Sequence, residues 1–244
     1  MPVDFPADTT HTATSDPHLD RADDLQAVLW DFDGTLADSE VMWMKAEYEL
    51  IPQLGGEWND EHAHNLVGNS LLVSARYILD VLGRDDLSPE WIVDQLTDRV
   101  VDQIKTSDVP WRPGALELLT ELEQRGIPCA LVSASYRRML DAVVERLPTG
   151  RFDTVVAGDE VTHGKPHPEP YLAAARALEV DPTRCIAIED SVPGSASGNA
   201  SGALVLGVRN VVPIPPAERR VIRDTLVGVD VDTLERWLAE ARDA

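Results

Sequence analysis

The chain has 244 residues, a hydrophobic fraction of 43% and a formal net charge of -22 at pH 7. That length and apolar content suffice for a substantial core. So much negative charge argues against nucleic-acid backbones and anionic membrane surfaces as partners, because both need clustered Lys and Arg.

Residues 1–24 are rich in Asp, Thr, Pro and His and read as a disordered tail. His11 and His18 in this tail give only a weak, compositional hint of metal binding. The start of the chain lacks the basic-then-apolar order of a signal peptide, and no apolar run approaches the length of a membrane span. The two cysteines, Cys129 and Cys185, lie in apolar runs and read as buried free thiols, so a cytoplasmic address is expected. The oligomeric state is left open, with a monomer as the simplest expectation.

Ala27-Val28-Leu29 reads as a buried parallel strand running into Trp30-Asp31-Phe32-Asp33-Gly34-Thr35. In open α/β sheets, ligands bind at the carboxyl ends of the strands. Asp31 and Asp33, two residues apart, point the same way there. Their repulsion must be offset by a cation, a hydrogen-bond network or a shared proton. Magnesium, which takes oxygen ligands, is the simplest of these. Gly34 permits a sharp turn, and Thr35 offers a hydroxyl or amide to an anion. The plainer alternative is an Asp-Gly turn closing a hairpin.

Beyond Asp38 the period becomes helical. Val41, Met44, Tyr48 and Ile51 share a face, and Pro52 is expected to end that helix. A second helix is expected over 70–82. Ser88-Pro89 pairs an N-cap with proline at the first helical position, and Ile92, Leu96, Val100 and Ile104 continue from it. Nothing between 39 and 108 reads as a strand, so this block is expected to be a small helical insertion. His62 and His64 make a bare His-x-His, for which solvated side chains are a commoner reading than a metal pair.

Strand-helix alternation then resumes. Pro113-Gly114 opens a helix that Gly126 caps. Strands follow at Cys129–Val132, Thr154–Ala157, Cys185–Ile188 and Leu204–Leu206, separated by amphipathic helices, and a last helix runs from Val231. The pattern predicts an α/β fold, a doubly wound parallel sheet formed by 25–38 and 109–244 with the helical block inserted. Successive strand ends carry Asp31 and Asp33, then Ser133 and Ser135, then Lys165, then Glu189 and Asp190. A parallel sheet brings those ends to one edge, so the groups should converge. Singly, each has a duller reading. Ser133 could cap a helix, Lys165 could be a solvated charge, and Glu189-Asp190 could simply begin a helix. Their recurrence at the same point of successive units argues against those readings.

At these residues the chain resembles the haloacid dehalogenase superfamily, within it the phosphatases and phosphomutases that carry a helical cap after the first strand of a Rossmann-like core. Asp31-Phe32-Asp33-Gly34-Thr35 resembles the family's first motif and Ser133 its second. Lys165, in Gly-Lys-Pro-His-Pro-Glu-Pro-Tyr, matches the third, and Glu189-Asp190-Ser191 the fourth. The likeness spans about 25–208 and keeps the family's motif order. It implies Asp31 as the nucleophile that becomes an aspartyl phosphate and Asp33 as acid and then base. It also implies magnesium held by Asp31, the backbone carbonyl of Asp33 and Asp190, with Glu189 ordering the metal's water. Ser133 and Lys165, with Gly34, Thr35 and Ala134, would hold the phosphoryl group. The block 39–108 would be a cap that excludes water. Trp43, Lys45, Arg76, Arg137 and Arg138 are candidates to touch the substrate, while His163 and His167 flank Lys165.

The activity implied is magnesium-dependent hydrolysis of a small phosphomonoester, a sugar phosphate or similar metabolite. A β-phosphoglucomutase is the alternative. Those mutases typically have a histidine where this chain has Trp43, and an arginine soon after the cap glycine where Gly68 is followed by Asn69, Ser70 and Leu71. A phosphoacceptor receiver would place its acidic pair first and lack the insertion. A non-catalytic phospho-ligand binding protein would have no need of the full set Asp31, Asp33, Lys165 and Asp190.

Overall fold

The computed structural model of the chain describes residues 25–66 and 69–243. The tail with His11 and His18, and Gly68, lie outside the described residues. Six strands form one parallel sheet in the order β3-β2-β1-β4-β5-β6. They are β1 (Ala27–Trp30), β2 (Cys129–Val132), β3 (Thr154–Val156), β4 (Cys185–Glu189), β5 (Leu204–Val208) and β6 (Arg220–Arg223). The chain steps outward from β1 to one side and then returns to β4 on the other. The order therefore reverses between β1 and β4, the switch point at which doubly wound sheets open a ligand crevice.

The alternation of side chains along the strands splits the core in two. Val28, Trp30, Leu131, Ile186 and Ile188 face a large cluster under α5 (Ala115–Arg125), α6 (Arg137–Glu145) and α9 (Val231–Asp243). Ala27, Leu29, Ala130 and Val205 face the other side, where Tyr171 and Ala174 of α7 (Glu169–Ala177) cover them beside α8 (Val192–Ala200). Both sheet faces are thus dry, and β1, β2, β4 and β5 are buried at every residue. Cys129 and Cys185 are free and buried, and burial pushes both thiols up to about 12.

Four helices stand between β1 and α5: α1 (Glu40–Gln53), α2 (Asp60–His64), α3 (Leu71–Leu82) and α4 (Pro89–Thr106). Ser88 Oγ accepts the Trp91 N–H at 3.1 Å, with Pro89 leading the helix as its sequence suggests. Gly126 ends α5 at φ +67°, a left-handed cap. Pro52 does not stop α1. It stands in the last turn, where the missing N–H costs a single bond. The block leaves and rejoins the core through two adjacent strands of chain. Asp38 N–H donates to Pro110 O at 2.8 Å, and Arg112 N–H to Leu36 O at 2.9 Å.

Among the described strands and α-helices, two have no counterpart in the sequence reading. The edge strand β6 bears an arginine at each end and no buried residue, so it carries no apolar run. The five residues of α2 are too few to show a helical period, and Asn59, accepting the His62 N–H, fixes their start. Among the described residues, no helix is long and apolar enough to cross a membrane.

Candidate active site

A cleft of about 350 Å³ lies between the carboxyl edge of the sheet and the four inserted helices. Asp31 follows directly from β1, its N–H still bonded to Ile188 O at 3.0 Å, so its side chain is delivered by the sheet itself. Lys165 reaches the same point from the loop after β3. Its ammonium donates to Asp31 Oδ1 at 2.7 Å, Glu189 Oε1 at 2.6 Å and Val132 O at 2.9 Å. Glu189 has no exposed surface, and its remaining acceptor sites are filled by Tyr171 Oη at 2.8 Å and Ser191 Oγ at 2.9 Å. Asp190, the next residue, accepts from Asn210 Nδ2 at 2.9 Å.

Two carboxylates therefore bracket one ammonium, with a third, Asp190, close by. Burial, then Glu189, raises the Asp31 carboxyl well above the ordinary range, against the opposing pull of Lys165. Burial, followed by the charge of Glu189, lifts Asp190 to about 7. Burial alone would lower the Lys165 ammonium, yet Asp31 and Glu189 on either side carry it above the usual lysine value.

Asp33 is held differently. Oδ1 accepts from Ser39 Oγ at 2.6 Å and Trp43 Nε1 at 3.1 Å, and Oδ2 from Ser133 Oγ at 3.1 Å and Ser135 Oγ at 2.7 Å. Two of these donors stand at the start of the inserted helices and two at the end of β2. Ser133 Oγ also accepts the Ser135 N–H at 2.9 Å, so the hydroxyl that could have capped a helix closes this turn instead. Gly34, at φ +82°, has no room for a side chain: a Cβ there would run into the Asp190 carboxylate and Asn210.

Asp31, Asp33, Ala134, Lys165, Asp190 and Trp43 line the cleft, with Ser133 and Glu189 directly behind. Gly34 and Thr35 do not. Their N–H groups are committed to Ala37 O and Phe32 O, and the Thr35 hydroxyl is buried without a partner among the described residues. Lys45 and Arg76 occupy solvent-facing sides of α1 and α3, away from the cleft. Arg137 is drawn to Glu160 at 2.7 Å and Val155 O at 2.9 Å, and Arg138 to Asp94 at 2.9 Å, tying α6 to α4. An arginine finds a carboxylate wherever one is near, and these found theirs outside the cleft. His62 bonds Tyr77 Oη and stacks on Trp58, whereas His64 bonds Asp60 O, so they form no pair. His163 and His167 cluster with Glu169, whose carboxylate accepts the Thr162 and His163 N–H groups and clips the Lys165 loop to α7. Ser39, Tyr171, Asn210 and Glu47 were not legible as site residues. Only a helix-start position pointed to Ser39, and nothing local pointed to the others.

Asp31, Glu189 and Asp190 offer oxygens that all lie within 4.8 Å of one another. Hard oxygen donors, an excess of negative charge and two carboxyls pushed upward by their surroundings fit a divalent cation. Glu189 has its oxygens taken by Lys165, Tyr171 and Ser191, which suits a supporting place better than direct ligation.

Residues 28–208 match the family described as haloacid dehalogenase-like hydrolase, and the chain belongs to that enzyme family. Among its relatives, hexitol phosphatase B of Escherichia coli K12 is 29% identical over 88% of this chain and 95% of its own length. The bifunctional riboflavin kinase/FMN phosphatase of Arabidopsis thaliana is 32% identical over 86% of this chain, which spans only 55% of that protein. The crystal structure of CbbY from Rhodobacter sphaeroides with phosphate superposes with a TM-score of 0.76 at 26% identity, covering 86% of this chain and 99% of the other.

Proposed function

We propose that the protein hydrolyses a small phosphomonoester, a sugar phosphate or similar metabolite, through a phosphorylated Asp31, with magnesium as cofactor. The observation that carries this reading is the Lys165 ammonium seated between Asp31 and Glu189 at the cleft floor, with Asp33 beside it. Asp31 attacks phosphorus, and the bond to the leaving oxygen breaks. Asp33 gives that oxygen a proton, then takes one from the water that cleaves the aspartyl phosphate and frees Asp31. Lys165 and the Ser133 hydroxyl hold the transferring oxygens, with the Ala134 backbone beside them. Asp31, Asp190 and the backbone carbonyl of Asp33 would hold the metal, with Glu189 behind them. When bound, it would neutralise phosphoryl charge and leave Asp31 ionised for attack. Residues 39–108 act as a cap over the cleft, and the paired crossings at 38 and 110 are its hinge.

Relatives named phosphatases support this reading. Trp43 disfavours the mutase, because an indole N–H only donates and cannot take up a proton beside Asp33. The test is phosphate release from a panel of metabolite phosphates, with magnesium and then with EDTA, using Asp31→Asn as the blank. Release that needs both the metal and Asp31 is the expected result. Conversion of β-glucose 1-phosphate to the 6-phosphate without release would replace the hydrolase by the mutase.

A further inference from the structure

Beyond the phosphoryl-binding floor, the cleft has two unusual properties. The first is its charge. Among the described residues that line it, Lys165 is the only Lys, Arg or His, and its ammonium is already engaged by two carboxylates and a carbonyl. The helix side instead adds Glu40 and Glu47. The second is its surface. Met44, Leu71 and Leu96 line the helix side, and Val192, Val211 and Val212 the core side. Those three valines keep 40%, 54% and 48% of their surface exposed, although a valine gains by burial. An apolar wall left open at the mouth of a polar floor is the usual form of a site that takes an amphiphilic small molecule.

Glu47 sits in the apolar part of this lining, 5% exposed, with Trp58 Nε1 donating to Oε2 at 3.1 Å. Its other oxygen has no such bond from the protein among the described residues. A buried carboxyl left with open acceptor capacity is best matched by a donor from a bound molecule. A second phosphate or a carboxylate on the ligand would meet Glu40 and Glu47, with no Lys, Arg or His besides Lys165 among the described lining residues to offset them.

We infer that the substrate carries its phosphate on an uncharged alcohol, with one apolar face against Val192, Val211 and Val212 and one hydrogen-bond donor directed at Glu47. Bisphosphates and phosphorylated carboxylic acids are rejected by charge. This deepens the hydrolase reading and rests on it.

Matched pairs test it: phenyl phosphate against 4-carboxyphenyl phosphate, and hexyl phosphate against hexane-1,6-diyl bisphosphate. All four are assayed for phosphate release at pH 7.5 with magnesium, using Asp31→Asn as the blank. The neutral member of each pair is expected to show kcat/KM at least about 30-fold higher, or about 2 kcal/mol at 1.4 kcal/mol per tenfold. Glu47→Gln should narrow both ratios at least about threefold. Asp31-dependent release in which the anionic member matches or beats the neutral one overturns the leaving-group proposal and leaves the hydrolase standing. Ratios unchanged by Glu47→Gln overturn the part given to that residue. Release from none of the four, nor from the metabolite panel, overturns the hydrolase reading and this inference with it.

Discussion

Glu47 shows what a carboxyl costs when helices close around it. Burial raises it from 4.5 to about 7, and the Trp58 N–H pulls back only part of the way. The folded protein therefore binds this proton more tightly than the unfolded chain does. The resulting stability is full below about pH 4.5 and is lost as the pH rises through 7, a span of about 3 kcal/mol. Glu47→Gln keeps the shape and an oxygen for Trp58 without ever ionising. It should be more stable than the parent by about 1–3 kcal/mol at pH 8 and by less than about 1 kcal/mol at pH 5. Urea denaturation at the two pH values measures this, and an equal difference at both would refute the assignment. Asp33 supplies the second prediction at this scale. Trp43→Phe removes one of its four donors while keeping an aromatic ring against the core. Hydrolysis should slow about 5–10-fold in kcat, the worth of one hydrogen bond, with little change in melting temperature.

Between elements, the tightest constraint is where α8 begins. A Cβ on Gly194 would run into the Glu189 carboxylate, which Lys165, Tyr171 and Ser191 already fix, so neither side can give way. Gly194→Ala is expected to lose at least about 2 kcal/mol of stability in thermal or chemical unfolding, although alanine is the better helix former. An unchanged stability would mean that α8 slides. This junction also marks how far the sequence could be read. The buried strands, the Ser88-Pro89 start and the Gly126 stop were visible because each depends on neighbours in the chain. Parallel strand ends brought Asp31, Asp33, Lys165 and Asp190 together as their positions in the chain implied. By contrast, α1 packs so that Glu40, Trp43, Met44 and Glu47 meet the cleft while Lys45, two residues from Trp43, turns to solvent. That rotation is set by contacts with α4, among them the buried bond from Gln103 Nε2 to Met42 O at 3.1 Å. No local pattern records it, and a basic residue near a phosphate motif is a poor guide to which face will look inward.

At the scale of the whole molecule, the proposed metal site predicts a stability that depends on cations. With Asp31, Glu189 and Asp190 gathered beside one lysine, a divalent ion that binds only the folded state stabilises it by mass action. Magnesium at about a hundred times its dissociation constant should add about 3 kcal/mol to unfolding. Asp190→Asn should abolish most of that increment, as a melt with and without EDTA will show. An increment that survives the substitution would place the ion elsewhere. The sheet order has a consequence of another kind, for synthesis. β1 lies at the centre of the sheet, yet both of its neighbours, beginning at Cys129 and Cys185, are made long after it. At about 5–20 residues per second, the ribosome leaves this fully apolar strand without a partner for on the order of 5–20 s. The inserted helices pack largely on one another and can form in that interval. The central strand is thus the first of the sheet to be made and the one that waits longest for its partners.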